Sequence, residues 1–310
     1  MMWDGWYGLR PNDRMLHAGA FNWTYTLGTG LLDPWAIGAT AMIYTGPADR
    51  RVWGQLAQRL EPTIFAAAPG VFRQITDDGA TGFDSLRHAL CAGEKLPSAI
   101  RQAWTHQSGK AVYEALGMSE CSTFLSHPAG QEIDENSSGK IQYGRHLAVL
   151  GPDKTLVKHG EPGELAIHRR DQGLMLGYYN QPEDTAARFH MEWFLTGDTV
   201  AMQGDAITYL GRSDDMMNAG GYRVSPLEVE AVLLTHPEVV EAAVAEVEVK
   251  AGVTVIAAFY VGHATSDALT EFCETRLAKY KCPRMFVRRD ALPRGANGKL
   301  RRKDLRAETP

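Results

Sequence analysis

Strand-like and helix-like patterns alternate between residues 39 and 68. Ala39–Tyr44 and Thr63–Ala68 are apolar runs typical of buried strands. Between them, from Asp49 to Leu60, apolar residues recur at the spacing of one helix face, with Asp49 as a candidate N-cap. Since strand, helix and strand in this order are typical of a parallel sheet, we predict an α/β fold for roughly the first 125 residues.

Short strands and glycine-containing turns replace this pattern from about residue 130 to residue 211. They predict a small β-barrel or sandwich, interrupted by one helix near Pro182 to His190. The predicted strands are Thr155–Val157, Glu164–Ile167, Thr199–Met202 and Ala206–Leu210, the last two joined by the turn Gln203-Gly204-Asp205.

The sequence pattern changes again after Gly211-Arg212, where a separate domain is predicted to begin. Ser225 and Glu228 form a capping-box pattern, so a helix is predicted from Pro226 to about Thr235. We therefore predict two domains: residues 1–211, which are α/β with a β-barrel subdomain, and residues 212–310, a small α+β domain. Further elements predicted in the second domain are strands Val239–Val247 and Val253–Val261 and helix Ser266–Tyr280.

Length and composition are those of a globular protein of about two domains. Met1–Trp6 lacks the pattern of a signal peptide, and the most apolar stretch, Leu31–Tyr44, is shorter than the roughly 20 residues of a membrane-spanning helix. We expect no export, no membrane span and a cytoplasmic location. The four cysteines lack CxxC spacing, which predicts reduced thiols and no metal cluster.

Five segments depart from generic globular sequence, and their order along the chain is as informative as their content. They are Cys91–Pro97 (CAGEKLP), Leu116–Glu120 (LGMSE), Trp193–Asp198 (WFLTGD), Gly211–Pro226 (GRSDDMMNAGGYRVSP) and Leu292–Lys299 (LPRGANGK).

This ordered set closely resembles the adenylate-forming superfamily of acyl-CoA synthetases, nonribosomal-peptide adenylation domains and firefly luciferase. The resemblance implies a large N-terminal domain, here partial, and a small C-terminal domain that rotates between half-reactions. It implies ATP or AMP, Mg²⁺ and coenzyme A as ligands and a small carboxylic acid as substrate. Within this superfamily, the character of its motifs is most similar to that of benzoate and medium-chain acyl-CoA synthetases.

Ser119 and Glu120 lie at a predicted strand end, where a carboxylate is able to hold Mg²⁺ and a hydroxyl to donate to a phosphate. Gly117 is expected to let a planar ligand approach the backbone. On the residues alone, a simple turn is the more common meaning of such a motif. The resemblance implies instead that this segment, Met118 included, binds ATP and that Glu120 ligates Mg²⁺. Leu116 stands where the family often has an aromatic residue that stacks on adenine.

Two further segments are candidates for the nucleotide. Gly93-Glu94-Lys95 indicates a turn before a helix, and the resemblance implies that it lines the adenine pocket. Asp198 follows a strand-like run, where its two carboxylate oxygens match the two hydroxyls of a ribose; a hairpin end is the alternative. The resemblance implies that Asp198 binds the ATP ribose and that Arg212 binds near the ribose and the phosphates.

Asp214 lies where the β segment stops and the C-terminal domain starts, which is where a hinge is expected; a solvated turn is the alternative. The resemblance implies that Asp214 is the pivot of the domain rotation. It also implies that Gly220-Gly221-Tyr222, followed by Arg223, lines the tunnel for the pantetheine arm of CoA, where glycine permits close backbone contact.

Lys299 stands in a glycine-containing loop that is able to carry an ammonium group into a phosphate site. A carboxylate that attacks an α-phosphate brings two anions together, so a cation that strengthens its contacts in the transition state lowers the barrier. The alternative is that Lys299 is one more charge in a basic tail. The resemblance implies the catalytic role.

The basic tail spans residues 276–310 and carries a net charge of +9 in a chain of net charge −5. Three interpretations are open: the tail binds nucleic acid, it forms a solvated face, or it binds the phosphates of ATP and CoA. Because only Tyr280 and Phe286 are aromatic there, a base-stacking RNA module is not indicated, and we expect no nucleic-acid partner.

The segment from Ala20 to Gly30 is similar in character to the family segment that lines the acyl pocket. Its aromatic and small residues, among them Asn22, Trp23 and Gly28, suit an aryl or medium-chain acid, and ordinary helix packing is an equal alternative.

A Ser/Thr/Gly-rich phosphate loop ending in Lys, which precedes these segments in the family, is not found in this sequence. We expect uncovered sheet edges or apolar faces unless a second copy or a separate chain covers them, and an adenylation step that is more impaired than thioester formation. The sequence therefore predicts an AMP-forming acyl-CoA synthetase, with a non-catalytic paralogue that binds AMP, CoA or a partner as the alternative.

Overall fold

The protein is described by a computed structural model, which covers residues 2–46, 51–135, 137–219, 222–250, 253–295 and 299–307. The chain forms two compact units. The first comprises residues 1–196 and 201–208, and the second comprises residues 197–200 and 209–310. The domain boundaries drawn from the sequence remain predictions.

The first unit opens with helices and parallel strands that alternate along the chain. They are β1 (Arg14–His17), α1 (Thr24–Leu27), α2 (Asp33–Ala36), β2 (Thr40–Met42), α3 (Val52–Leu60), β3 (Ile64–Ala67), α4 (Pro69–Asp77), β4 (His88–Ala92), α5 (Ser98–Ser108) and β5 (Val112–Met118), with π-helical turns at Trp3–Tyr7 and Gly28–Leu32. In the order β2-β1-β3-β4-β5 every neighbouring pair is parallel, which confirms the predicted α/β class. Asp49, the predicted cap of α3, lies outside the described residues.

The side chains of β3 alternate between two cores. Phe65 packs against Phe72, Phe83 and Trp104, with ring centroids 5.5 to 6.1 Å apart, on the side of helices α3, α4 and α5. Its neighbour Ile64 belongs to the core on the opposite face. Burial on both faces is what a parallel sheet requires, because its crossover helices cover it.

The sheet continues as antiparallel strands, in the order β5-β6-β7-β12-β11-β9-β8, so that twelve strands of the described residues share one sheet. The segment predicted as barrel-like is thus its antiparallel half, and within the described residues no pairing joins β8 back to close a barrel. The elements are β6 (Ser122–Ser126), β7 (Lys140–Ile141), β8 (Leu147–Leu150), β9 (Pro162–His168), α6 (Pro182–Ala187), β10 (Phe189–His190), β11 (Trp193–Gln203) and β12 (Ala206–Arg212).

Two predicted elements of this half are wrong in detail. The predicted strand Thr155–Val157 is only an isolated bridge at Leu156, because the Asp153 carboxylate accepts from the N–H of Thr155 and holds a turn. The predicted helix Pro182–His190 ends at Ala187, and Phe189–His190 form a short strand in which Phe189 pairs with Phe194 of β11.

The second unit is an α+β sandwich. Its elements are β13 (Met217–Ala219), β14 (Tyr222–Val224), α7 (Pro226–Leu233), β15 (Val239–Lys250), β16 (Val253–Gly262), α8 (Ser266–Glu274), β17 (Met285–Arg288) and α9 (Arg302–Ala307). The Ser225 hydroxyl accepts from the N–H of Glu228 and caps α7, as predicted. On β15, Val244 faces the core of α7 and α8, whereas Ala243 and Ala245 face the core that includes Leu305 of α9.

The predicted helix Ser266–Tyr280 is too long. Helix α8 ends at Glu274, and Ala278 is extended, with φ −59° and ψ 141°, so the chain leaves the helical path before the 3₁₀ turn Lys279–Lys281. Leu277 still packs on the core of the second unit, which is why its apolar periodicity continued past the end of the helix.

Large apolar side chains are exposed near β2, the edge strand of the sheet. Leu32, Trp35 and Ile43 are 52%, 60% and 49% exposed, which agrees with the expectation of uncovered apolar surface. No helix in the described part of the chain is long and apolar enough to span a membrane.

Substitution of Phe65 by Ala is expected to lower the free energy of unfolding by about 3–5 kcal/mol, because it opens a cavity among three packed rings. Urea unfolding measures the change. Tyr143→Ala is the control, since Tyr143 is 92% exposed, and its change is expected within about 0.5 kcal/mol. Equal losses in the two variants would contradict this assignment of the core.

Candidate functional site

Three predicted site segments of the first unit follow parallel strands. The acyl segment follows β1, Gly93-Glu94-Lys95 follows β4, and Ser119-Glu120 follows β5. The carboxyl ends of parallel strands share one edge of a sheet, which is where α/β proteins bind ligands. Since Ala92 pairs with Ala115, Gly93 lies beside Leu116. The fold therefore brings these segments to one edge.

A hydrogen bond joins the acyl segment to the Ser119-Glu120 turn. The hydroxyl oxygens of Thr24 and Ser119 lie 3.3 Å apart, although 94 residues separate the two in the chain. Trp23, directly before Thr24, packs edge-on against Tyr25 with ring centroids 5.2 Å apart. The predicted pocket residues all lie in this segment: Asn22 in a turn, Trp23 at the start of α1 and Gly28 at the start of a π-helical turn.

Glu120 is held by a loop that the sequence interpretation missed. The hydroxyl of Tyr178 donates to Glu120 Oε1 at 2.9 Å, and the N–H of Met175 donates to the Glu120 carbonyl at 2.7 Å. Burial and the nearby Glu120 carboxylate raise the pKa of Tyr178. The available signal was the run Gly177-Tyr178-Tyr179-Asn180, in which two aromatic residues stand in a turn-forming context.

A buried ion pair braces the same region. Arg145 Nη1 donates to Asp171 Oδ1 at 2.7 Å, and Arg145 also donates to the carbonyl of Thr123 on β6. Burial raises the pKa of Asp171, but hydrogen bonds from two main-chain N–H groups and from Arg145 outweigh it, and the pKa is lowered. A Cβ at Gly173 would lie 1.8 Å from Arg145 Nη1, so a larger residue there would displace the guanidinium from its pair. The pair thus ties the hairpin after Glu120 to the loop that leads to Tyr178.

A second buried pair holds the Gly93-Glu94-Lys95 loop. Glu114 on β5 accepts from the N–H of Leu96 at 2.9 Å and from Arg101 Nη2 at 3.0 Å. Burial raises the pKa of Glu114 to about 7, although the Leu96 N–H and Arg101 both lower it. The signal for this residue was a single acidic side chain within an otherwise apolar strand. The pair fixes the loop against the strand that carries Leu116.

Leu116, Gly117 and Met118 form the end of β5, as predicted. A Cβ at Gly117 would lie 2.5 Å from the carbonyl oxygen of Ser122 on β6. The pairing of β5 with β6 therefore requires glycine at this position. This is a packing reason that the sequence interpretation, based on ligand approach, did not give.

In the second unit, Asp198 and Arg212 lie together, but Asp198 lies inside β11 and not after a strand as predicted, because β11 continues through Gly197 to Gln203. Arg212 Nη1 is 3.3 Å from Asp198 Oδ1, and Arg212 Nε is 3.6 Å from Asp214 Oδ1. Burial lowers the pKa of Arg212, but the two carboxylates outweigh it and the pKa is raised. A Cβ at Gly197 would lie 2.8 Å from Arg212 Nη2, so glycine makes room for the guanidinium.

The segment predicted to line the pantetheine tunnel is described in part. Gly220 and Gly221 lie outside the described residues. Tyr222 is 59% exposed and stacks on Tyr280, with ring centroids 4.5 Å apart, and Arg223 Nη2 donates to the carbonyl of Ser213 at 2.9 Å. The stack thus joins Tyr222 to Tyr280 of the basic tail.

Lys299 is exposed, and residues 296–298, directly before it, lie outside the described residues. The N–H of Gly295 donates to the Lys299 carbonyl at 2.8 Å, and Arg294 forms a β-bridge with Leu300. Residues 294–295 are thus paired with residues 299–300, and this pairing is called the Lys299 hairpin below.

No group of three or more His, Cys, Asp or Glu side chains suited to a metal ion occurs in the described parts of the chain. Glu120 offers a single carboxylate. That donor set fits Mg²⁺, which proteins commonly hold through one or two carboxylates while substrate phosphates and water complete its shell.

The family model of AMP-binding enzymes matches residues 1–179, and that of the AMP-binding enzyme C-terminal domain matches residues 228–299. The chain therefore belongs to the AMP-binding enzyme family.

Two aryl-CoA ligases are among the relatives that the chain matches. It is 34% identical over 314 residues to the benzoate–CoA ligase of Thauera aromatica and 31% identical over 313 residues to the 3-hydroxybenzoate–CoA ligase of Aromatoleum sp. (strain CIB), covering 97% of this chain and 59% and 60% of theirs. The crystal structure of the anthranilate CoA ligase AuaEII in complex with anthranoyl-AMP superposes with a TM-score of 0.87 at 32% identity, over 97% of this chain and 60% of that one. The chain thus spans about three fifths of the length of these relatives.

Glu114→Gln is expected to remove a pH-dependent part of the stability. Because the pKa of Glu114 is about 7 in the folded chain against an ordinary 4.5, the folded state holds a proton that the unfolded state releases between these values. Raising the pH through this window therefore lowers the stability of the wild type. Urea unfolding at about pH 5, 6 and 7 is expected to show the advantage of the wild type over Glu114→Gln shrinking as the pH rises. A difference that stays constant or grows would contradict the assignment.

Proposed function

We propose that the chain is an AMP-forming acyl-CoA synthetase that acts on an aryl or medium-chain carboxylic acid. The observation that carries this proposal is the hydrogen bond between Thr24 and Ser119. It joins the segment assigned to the acid and the turn assigned to ATP at the edge of the sheet where α/β proteins bind ligands. An acyl-adenylate forms only where a carboxylate and an α-phosphate meet, and the aryl-CoA ligase relatives support the same chemistry.

In the first half-reaction a carboxylate oxygen attacks the α-phosphorus of ATP, and the bond to pyrophosphate breaks. Asp198 binds the ribose and Arg212 binds next to it. The Asp198–Arg212 contact of 3.3 Å holds the two side chains in one orientation. Lys299 brings a positive charge to the two anions as they approach, which is most effective in the transition state.

Glu120 is the residue proposed to hold Mg²⁺. When bound there, the ion supplies charge neutralisation at the phosphates. Because Tyr178 donates to one carboxylate oxygen of Glu120, that side chain is oriented before any ligand arrives. Gly93-Glu94-Lys95 and Leu116–Met118 border the adenine, and Leu116 offers an apolar face in place of an aromatic ring.

In the second half-reaction the thiol of CoA attacks the acyl carbonyl, and the bond to AMP breaks. Tyr222 and Arg223 are proposed to lie along the pantetheine arm. The stack of Tyr222 on Tyr280 and the basic tail around it suit a ligand with a narrow apolar arm and phosphates. Asp214 is proposed as the pivot between the two half-reactions.

A cytoplasmic location is proposed on the state of the cysteines, since Cys91, Cys121, Cys273 and Cys282 are all free and buried, as in proteins kept in a reducing compartment. The acid, ATP and CoA are the proposed partners. A second copy of the chain, or a separate chain that covers the exposed apolar edge, is a further proposal that rests on the exposure of Leu32 and Trp35.

Lys299→Ala is expected to lower acid-dependent exchange of pyrophosphate into ATP by about 10²–10³-fold, because one electrostatic contact to the transition state is lost. Lys158→Ala is the matched control, since Lys158 is an exposed lysine outside the basic tail and outside every proposed site segment, and it is expected to leave exchange unchanged. Equal exchange in wild type and Lys299→Ala would contradict the catalytic role proposed for Lys299.

A second candidate function is a module that binds AMP or CoA without turnover. It is favoured by one observation, the stack of Tyr222 on Tyr280 beside the basic tail, which suits a phosphate-bearing ligand and needs no catalytic step to bind it. Calorimetry separates the two functions: a module binds AMP or CoA but converts no member of a panel of aryl and medium-chain acids, whereas an enzyme does both.

A further inference from the structure

Four charged side chains meet next to the Lys299 hairpin in the second unit. Arg302 Nη2 donates to both carboxylate oxygens of Glu230, each at 2.7 Å, and Arg302 Nη1 lies 3.9 Å from Asp215 Oδ2. Arg306 Nη2 lies 2.8 Å from Asp215 Oδ1 and also donates to the carbonyl of Asp214 at 3.1 Å. The cluster thus links three places: helix α7, the Asp214-Asp215 turn and helix α9.

The centre of this cluster is buried. The side chains of Glu230 and Arg302 are 9% and 17% exposed, and Glu230 Oε1 also accepts from the N–H of Val244 on β15 at 2.8 Å. Buried ion pairs contribute little net stability, since desolvation offsets much of the attraction. Their attraction is favourable only when the two side chains hold one relative position. This pair therefore fixes where Arg302 lies more than it stabilises the fold.

Arg302 is three residues after Lys299. Main-chain hydrogen bonds to residues 293 and 295 also hold the backbone from Lys299 to Arg301. The N–H of Arg301 donates to the carbonyl of Pro293 at 2.9 Å, and the N–H of Gly295 donates to the carbonyl of Lys299 at 2.8 Å. These two bonds close the stem of the hairpin. A shift of Arg302 would therefore move Lys299 with it.

We propose that Glu230 and Arg302 are positioning residues for Lys299, and that Asp215 ties them to the turn that contains Asp214. This rests on the proposed function, in which Lys299 acts on the α-phosphate. Lysine is a long side chain with free rotation, so its place in a transition state depends on a fixed backbone. Misplacement of a catalytic group by about 1 Å is able to cost on the order of 10²-fold in rate.

The test uses two variants of the full chain and one control. Arg302→Lys keeps the charge but loses the planar fork that bridges Glu230 and Asp215, and Asp215→Asn keeps the shape but loses the charge. Arg59→Lys is the control, because Arg59 is exposed on helix α3 and lies outside the basic tail and every proposed site segment. Thermal unfolding of each variant checks that it folds, and Asp215→Asn carries the test if Arg302→Lys does not fold.

Two rates are measured: acid-dependent exchange of pyrophosphate into ATP, and thioester formation from supplied benzoyl-adenylate and CoA. A positioning role predicts that kcat for exchange falls by about 10–100-fold in Arg302→Lys and less in Asp215→Asn. KM for ATP and the rate of thioester formation are expected to stay within about twofold, because Lys299 acts in the transition state of the first step only. Unchanged exchange, or an equal loss in both half-reactions, would overturn the proposal.

A readout that needs no turnover separates this proposal from the proposed function. Amide hydrogen exchange at Gly295 reports whether the hairpin stem is closed, and the Ala257 amide on β16 serves as the reference. We expect faster exchange at Gly295 and not at Ala257 in Arg302→Lys. Unchanged exchange at Gly295 contradicts the positioning role, whereas an inactive wild type, or a Lys299→Ala variant with full activity, contradicts the proposed function instead.

Discussion

Parallel pairing of β1, β3, β4 and β5 is the constraint on which the site in the first unit depends. Strands that run in the same direction end at the same edge, so the loops that follow them meet there whatever their separation in the chain. The hydrogen bond between Thr24 and Ser119 is the direct result of this pairing. The register that sets Ala92 against Ala115 likewise brings the Gly93 loop to Leu116.

Buried ion pairs recur where a proposed site segment must keep its shape. Arg101 and Glu114 hold the loop after β4, and Arg145 and Asp171 brace the region around Glu120. In the second unit Arg302 and Glu230 lie next to the Lys299 hairpin. The second and third pairs join segments 26 and 72 residues apart, whereas Arg101 and Glu114 lie in the consecutive elements α5 and β5. Since such pairs give little net stability, their common contribution is a defined geometry for the backbone beside them.

Much of the fold could be predicted from the sequence, because local patterns carry it. The alternation of strand and helix around residues 39 to 68 gave the parallel sheet, and the Ser225 cap gave the start of α7. The errors came from tertiary effects. Asp153 turned a β-like run into a loop, and Leu277 continued an apolar period beyond the end of α8 because it packs on the core.

In the candidate site, too, some residues could be predicted from the sequence and others could not. Its motifs could be found because glycines, carboxylates and lysine stand in an ordered set, but the groups that orient them could not. Tyr178 and Glu114 act on residues 58 and 18 positions away, and nothing local marks such a partner. The strand-like run Trp193–Leu195 predicts a strand that ends before Asp198, whereas β11 continues to Gln203 and Gly197 makes room within it for Arg212.

The most direct measurement of the central claim follows one oxygen atom. Benzoate labelled with ¹⁸O in its carboxylate is incubated with the protein, ATP, Mg²⁺ and CoA, and the products are analysed by mass spectrometry. Attack of the carboxylate on the α-phosphate predicts AMP that carries one ¹⁸O atom, formed together with benzoyl-CoA and pyrophosphate. Benzoyl-CoA formed with unlabelled AMP, with label in ADP or phosphate, or no turnover of benzoate or of a medium-chain acid treated in the same way, would contradict the account.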